Sequence, residues 1–122
     1  MNKVFLSIGS NLGNEINNIN KSILLIKQID NLELICHSSI YKSKPMYYTK
    51  QNDFLNLVVE ISTEITPLKL LKKFKDIEIF MGRTIKHKRN YPRIIDIDIL
   101  DYNCIILSHK NLTLPHPKIL ER

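Results

Sequence analysis

Asp96 and Asp98 stand one residue apart in R-I-I-D-I-D-I-L, residues 93–100, a run that is otherwise isoleucine and leucine behind Arg93. In a strand, residues i and i+2 project to the same side. A strand here puts both carboxylates on one face, about 6.6 Å apart at the strand rise, and Ile95, Ile97 and Ile99 on the other. The isoleucine face suits a core. The acid face offers hard oxygen ligands on a stiff backbone, and Mg²⁺ is commonly held by one or two carboxylates plus substrate phosphates. A shared carboxylate can also bridge two such ions ~4 Å apart. The competing reading of a bare D-x-D is a solvated strand face whose acids pair with surface lysines.

The neighbourhood favours the metal. Arg83 and Arg93 bracket a basic stretch that carries Lys86, His87, Lys88 and Arg89. Carboxylates to hold metal and arginines to grip phosphate oxygens two at a time are the parts of a phosphoryl-transfer site. Loop cations alone also describe an ordinary solvated surface, although a loop of this kind can close over a nucleotide. The chain has only 3 glycines. Its G-S-N-L-G, residues 9–13, matches neither the P-loop nor G-x-G-x-x-G. A nucleotide must therefore be held by side chains and metal.

Composition sets the limits within which such a site is built. At 122 residues the chain has room for one core and reads as a single domain over 1–122. A hydrophobic content of 43% with 25% charged residues is that of a soluble globular protein. The formal net charge of +6 favours anionic partners without choosing among nucleotide, nucleic acid and phosphorylated metabolite. The apolar start before Ser10 is too short for a signal-peptide core, and no apolar run nears the ~20 residues of a membrane span. The expectation is a cytoplasmic protein. Cys36 and Cys104 lie in separate apolar stretches and read as buried free thiols.

The elements that position these residues follow from periodicity. Residues 3–9 form a short apolar run ending at Gly9 and read as a buried strand. Asn14 is placed to cap a helix over 15–29, in which Ile16, Ile19, Ile23 and Ile26 recur at steps of three and four. Residues 32–43 alternate and read as one strand. Residues 53–63 place Leu55, Leu57, Val59 and Ile61 on one face. Thr66-Pro67 opens a second helix through Leu70, Phe74, Ile77 and Met81, and Gly82 ends it. After the D-x-D strand, Asp101 to Asn103 read as a turn and residues 104–107 as a hairpin partner folding back. The tail from Asn111 has little order of its own in this reading. The order β-α-β-β-α-β makes an α+β ferredoxin-like sandwich, with a mainly antiparallel sheet, helices on one face and the other face open to ligands. Fold alone decides no function.

These residues also carry a resemblance. S-I-G-S-N-L-G-N near the start, Y-K-S-K-P and D-F-L-N in the middle, I-E-I-F-M-G-R, P-R-I-I-D-I-D-I-L and L-T-L-P-H-P together resemble the 6-hydroxymethyl-7,8-dihydropterin pyrophosphokinases of folate biosynthesis, in order and across essentially the whole chain. The resemblance implies transfer of pyrophosphate from ATP to the pterin's hydroxymethyl oxygen with release of AMP, and it implies Mg²⁺, two ions by the family pattern. Asp96 and Asp98 match the metal-binding aspartates, with Asp96 also beside the pterin. Arg83 and Arg93 match phosphate-contacting catalytic arginines, and Glu78, His116 and Arg122 match nucleotide contacts. Asn56 matches the residue whose amide pairs with the pterin's donor–acceptor edge, which suits a group able to donate and accept at once. Gly9, Ser43, Pro45, Met46 and Phe54 match positions lining the pterin pocket. The partners implied are ATP and a reduced pterin, with no nucleic acid and no membrane, on a monomer.

Departures from the family pattern bear on binding. Asn90 stands where an aromatic often covers the pterin, and Ile85 where a second arginine is common. Arg122 falls inside the family's R-x-F segment. The expectation is that the stacking aromatic beyond it, and the later strand and helix, are lacking. One missing face of an aromatic stack is worth roughly 0.5–1.5 kcal/mol. Two other readings stay open: a truncated homologue, inactive or weakened, that keeps nucleotide binding, and a basic RNA-binding module. The second lacks any aromatic-rich RNA-binding motif, and its acids would repel a phosphate backbone.

Overall fold

The computed structural model describes residues 1–44, 52–82 and 92–117. Along the chain come β1 (Asn2–Ser10), α1 (Glu15–Lys27), β2 (Leu32–His37), β3 (Tyr41–Ser43), β4 (Phe54–Thr63), α2 (Pro67–Phe80), β5 (Asp96–Tyr102), β6 (Leu107–His109) and β7 (Leu112–Leu114). β1, β2, β4 and β5 lie in the order β2-β4-β1-β5, and β3 joins the sheet beside β4. Every pairing in it is antiparallel. This is the ferredoxin-like α+β arrangement, with β1 at the centre.

One face of that sheet is apolar because the alternation of three strands agrees. In β1, Val4, Leu6 and Ile8 turn inward; Leu6 pairs with Val59 and Ile99, and Ile8 with Leu57 and Ile97. All are buried, together with Ile19 and Ile26 of α1 and Leu70, Phe74 and Ile77 of α2. Both helices therefore cover the same face. Burying a side chain of this size contributes about 1.5–3 kcal/mol, so the shared parity of these strands is what holds the sandwich together.

The helices start and stop as their sequences direct. Asn14 caps α1, its Oδ1 accepting from the Asn17 amide at 3.1 Å. Pro67 opens α2 behind Thr66, which takes the extended cap conformation without a side-chain capping bond. Gly82 follows that helix at φ +111°, where a side chain would be strained.

Four expectations are corrected. Residues 32–43 are not one strand. β2 pairs with the far half of β4 and β3 with the near half, and the chain breaks between them at Ser38. There the Ser38 amide donates to the Val58 carbonyl at 2.9 Å, and the Ser38 hydroxyl accepts from the Val58 amide at 2.9 Å. The side chain thus stands in for a missing ladder acceptor. Second, the hairpin is β6 with β7, not residues 104–107 against β5. Strand β5 runs on through Tyr102, and the turn falls at Asn103 and Cys104, both at positive φ. Third, the tail from Asn111 has order of its own within the described residues: Leu112 and Leu114 are buried in the core, and the Leu114–Pro115 peptide is cis. Fourth, Cys36 and Cys104 are free but exposed, because one lies on an edge strand and the other in a turn. Among the described residues no helix is long and apolar enough to cross a membrane.

Candidate active site

The face away from the helices carries the polar residues that alternate with the core. Gly9 of β1 lies directly between Asn56 of β4 and Asp96 of β5 in the pairing register. One step along, Ser7 lies between Val58 and Asp98. Two neighbouring rows on the open face therefore end in the two carboxylates expected from sequence. Ile95, Ile97 and Ile99 turn the other way and are at most 1% exposed, whereas Asp96 and Asp98 keep partial access.

Asp96 has a cationic neighbour. Arg93 Nη1 donates to its Oδ2 at 3.3 Å, with the two side chains 16% and 14% exposed. Charges that are largely out of water interact more strongly than surface pairs. A guanidinium carries five N–H groups, so it can bond more than one acceptor at once.

Asn56 is set in place before any ligand arrives. Its Nδ2 donates to Ser43 Oγ at 2.6 Å and lies 3.4 Å from the Phe54 carbonyl. The amide is 7% exposed. Its Oδ1 lies over Gly9: a Cβ there would come to 2.7 Å from that oxygen and 3.4 Å from Phe54 Cδ1. Glycine is required by this close approach.

Glu78 works from the other side. It is 1% exposed and accepts the Ile97 amide on Oε2 at 2.7 Å, while Lys75 Nζ reaches Oε1 at 3.5 Å. Ile97 is the residue between the two aspartates, on the outer edge of the last strand of the sheet. A buried carboxylate thus satisfies that strand edge next to the acids. His116 also meets β5, donating its amide to the Leu100 carbonyl at 2.7 Å.

Of the residues expected from sequence, the structure brings together Gly9, Ser43, Phe54, Asn56, Arg93, Asp96 and Asp98 around one end of the sheet. Glu78 and His116 flank the outer edge of β5. Arg83, Pro45, Met46 and Arg122 lie outside the described residues, as do Ile85 and Asn90. One residue escaped the sequence reading: Asn11, 1% exposed, which bonds to both Asn52 and Arg93. An amide placed immediately after a buried strand was the signal available.

The carboxylates fit Mg²⁺ by donor type and by their shared face, with substrate phosphates left to complete the shell. No group of three or more His, Cys, Asp or Glu suited to a metal occurs among the described residues. An antiparallel sheet with helices on one face, and a carboxylate pair, an arginine and a pre-set amide on the other, is the layout of a small phosphoryl-transfer domain.

Comparisons with known proteins say which one. The profile of the 7,8-dihydro-6-hydroxymethylpterin-pyrophosphokinase (HPPK) family matches residues 5–122, and the chain belongs to that family. The 2-amino-4-hydroxy-6-hydroxymethyldihydropteridine pyrophosphokinase of Haemophilus influenzae is 38% identical over 112 residues, covering 92% of this chain and 69% of that protein. The Aquifex aeolicus protein of the same name is 38% identical, covering 100% of this chain and 74% of its own length. The folic acid synthesis protein FOL1 of Dictyostelium discoideum is 43% identical over 99% of this chain, which spans only 18% of that longer protein. A crystal structure of an HPPK-DHPS in complex with substrates superposes with a TM-score of 0.66 at 21% identity, over 98% of this chain and 31% of that one. At that identity the likeness speaks for the fold.

Proposed function

We propose that this chain, acting as a single domain, transfers pyrophosphate from ATP to the hydroxymethyl oxygen of 6-hydroxymethyl-7,8-dihydropterin. The hydroxymethyl oxygen bonds to the β-phosphorus, the bond from that phosphorus to the bridging oxygen of the α-phosphate breaks, AMP leaves and the hydroxyl proton passes to solvent. The observation that supports this best is the Asn56–Gly9–Asp96 row. It puts an amide suited to a pterin edge and a carboxylate suited to a cation on one face, with only a glycine between them.

Each residue then has a task. Asn56, oriented by Ser43, pairs with the donor–acceptor edge of the ring, and Phe54 packs against the ring's apolar surface. Gly9 keeps the floor low enough for the ligand to lie across β1. Asp96 and Asp98 hold Mg²⁺, two ions in this reading. When bound, the metal neutralises triphosphate charge and lowers the pKa of the attacking hydroxyl. Arg93 anchors phosphate while keeping Asp96 in place, and Arg83 shares that role. Glu78 serves the nucleotide side by holding the strand between the acids, with His116 and Arg122 as further nucleotide contacts. Pro45 and Met46 complete the pterin pocket. No side-chain general base is assigned. The reading includes a cytoplasmic monomer whose partners are ATP and a reduced pterin.

The test is direct. A non-hydrolysable ATP analogue is titrated with and without Mg²⁺, then ATP and the hydroxymethylpterin are mixed and AMP is followed by chromatography. Magnesium-dependent nucleotide binding and pterin-dependent AMP are expected. Nucleotide binding with no AMP would overturn the transfer and leave a binding protein.

A further inference from the structure

Strand pairing joins β4 to β1 and β1 to β5, but β4 and β5 never touch each other in the sheet. At the site end the ladder runs out: Ser10 is the last residue of β1, paired with Leu55, and Gly9 is the last paired with Asp96. Past that point the two flanking strands, one bearing Asn56 and Phe54 and the other Asp96 and Asp98, need another link.

Asn11 supplies it. Its Nδ2 donates to the Asn52 carbonyl at 3.1 Å, two residues before β4. Its Oδ1 accepts the Arg93 amide at 2.7 Å, three residues before β5. Its own amide donates to the Arg93 carbonyl at 3.0 Å, so Asn11 and Arg93 are held at two points. Arg93 in turn grips Asp96 at 3.3 Å. The side chain is 1% exposed, so neither bond competes with bulk water and each geometry is closely held. Only an amide carries a donor and an acceptor on one short planar group. Aspartate would keep the acceptor and lose the donor, and alanine would lose both.

We infer that Asn11 is a positioning residue that couples the two halves of the site: it sets the β4 entrance, and so the pterin side, against Arg93 and the carboxylate side. This rests on the function proposed above, but its geometry can be tested independently of turnover.

Asn11→Asp and Asn11→Ala separate the two bonds. Asn11→Asp keeps the acceptor for Arg93 and places a negative charge beside the Asn52 carbonyl. Its affinity for the Mg²⁺–ATP analogue should stay within about twofold, while pterin affinity in the presence of that analogue falls about tenfold. Asn11→Ala should weaken both ligands by about tenfold and lower kcat further, because reacting groups lose their mutual alignment. Amide hydrogen exchange gives a readout that does not need activity. The Arg93 amide should stay protected in Asn11→Asp and exchange faster in Asn11→Ala, while the β1–β4 ladder stays protected in both. Equal loss of both ligands in Asn11→Asp and Asn11→Ala would overturn the coupling, as would a lowered melting temperature with unchanged constants per folded molecule. An unaltered Arg93 amide in Asn11→Ala would overturn it too. Failure of the proposed function shows elsewhere, in a wild-type protein that releases no AMP, and the exchange result then still decides the role of Asn11.

Discussion

Gly9 and Asn56 face each other across β1 and β4 so closely that a Cβ on Gly9 would come to 2.7 Å from Asn56 Oδ1. Atoms do not settle at that distance without being hydrogen-bonded, so one of the two must give way. The Ser43 bond at 2.6 Å holds the amide from the other side. Gly9→Ala should therefore rotate Asn56 off its pterin-facing orientation. Pterin affinity is expected to fall by about tenfold, roughly 1.4 kcal/mol, with nucleotide affinity little changed. Calorimetric titration of each ligand checks the split.

Asp96 and Asp98 are partly exposed and make no part of the core, so replacing them should spare the fold. Asp98→Asn is expected to cut kcat by about 10²–10³, the range seen when one preorganised electrostatic group is removed. The thermal midpoint should move little. Asp96→Asn adds a second effect, because it releases Arg93 from its 3.3 Å partner. AMP production across a Mg²⁺ series checks both variants: raised Mg²⁺ should recover part of the loss in each.

Glu78 makes the reverse prediction. It is buried and bonded to the Ile97 amide at 2.7 Å. Glu78→Ala leaves that amide unsatisfied on the outer edge of β5 and should cost about 1–3 kcal/mol of stability. Glu78→Gln keeps an acceptor and should cost less. Urea unfolding followed by circular dichroism measures both. A Glu78→Ala protein as stable as the wild type would show that this edge is satisfied by another group.

Tyr102 ties the sheet to the chain before α2. Its hydroxyl donates to the Ile65 carbonyl at 2.7 Å and accepts from Asn2 Nδ2 at 2.9 Å. Burial pushes its pKa above the ordinary 10.0, opposed by the Asn2 bond and helped by the Glu64 charge. The fold thus favours the protonated phenol. That stability is intact below the unfolded-state value of 10.0, and it is lost as pH rises through the higher folded value. Tyr102→Phe should be less stable near neutrality by about 1–2 kcal/mol, with the gap to wild type narrowing at strongly alkaline pH. Unfolding midpoints from pH 7 upward for both proteins give the comparison.

Much of this was legible in the residues. Period-two alternation in β4 and β5 agreed with the period of three and four in both helices, and together these settled which face is covered. The placement of both aspartates on the open face followed from that same alternation. What was not legible depends on partners distant in sequence. The break at Ser38 could not be seen because alternation runs straight through it; only the position of Val58 across the ladder shows why a serine belongs there. The β6–β7 hairpin uses strands of three residues each, too short for any period to declare itself. Cys36 sits in an apolar stretch, but on an edge strand such a stretch does not mean burial. Asn11 looks like any loop polar residue until Asn52 and Arg93 are brought beside it.

The split between β2 and β3 also bears on how the molecule meets its own copies in a crowded solution. A long straight sheet margin offers a continuous row of amides and carbonyls on which a foreign strand can grow. Here the margin is cut at Ser38, and the hydroxyl there is already spent on Val58. An incoming strand would find two short, discontinuous stretches in place of one template. The interruption thus hinders the self-templating that leads to fibrils.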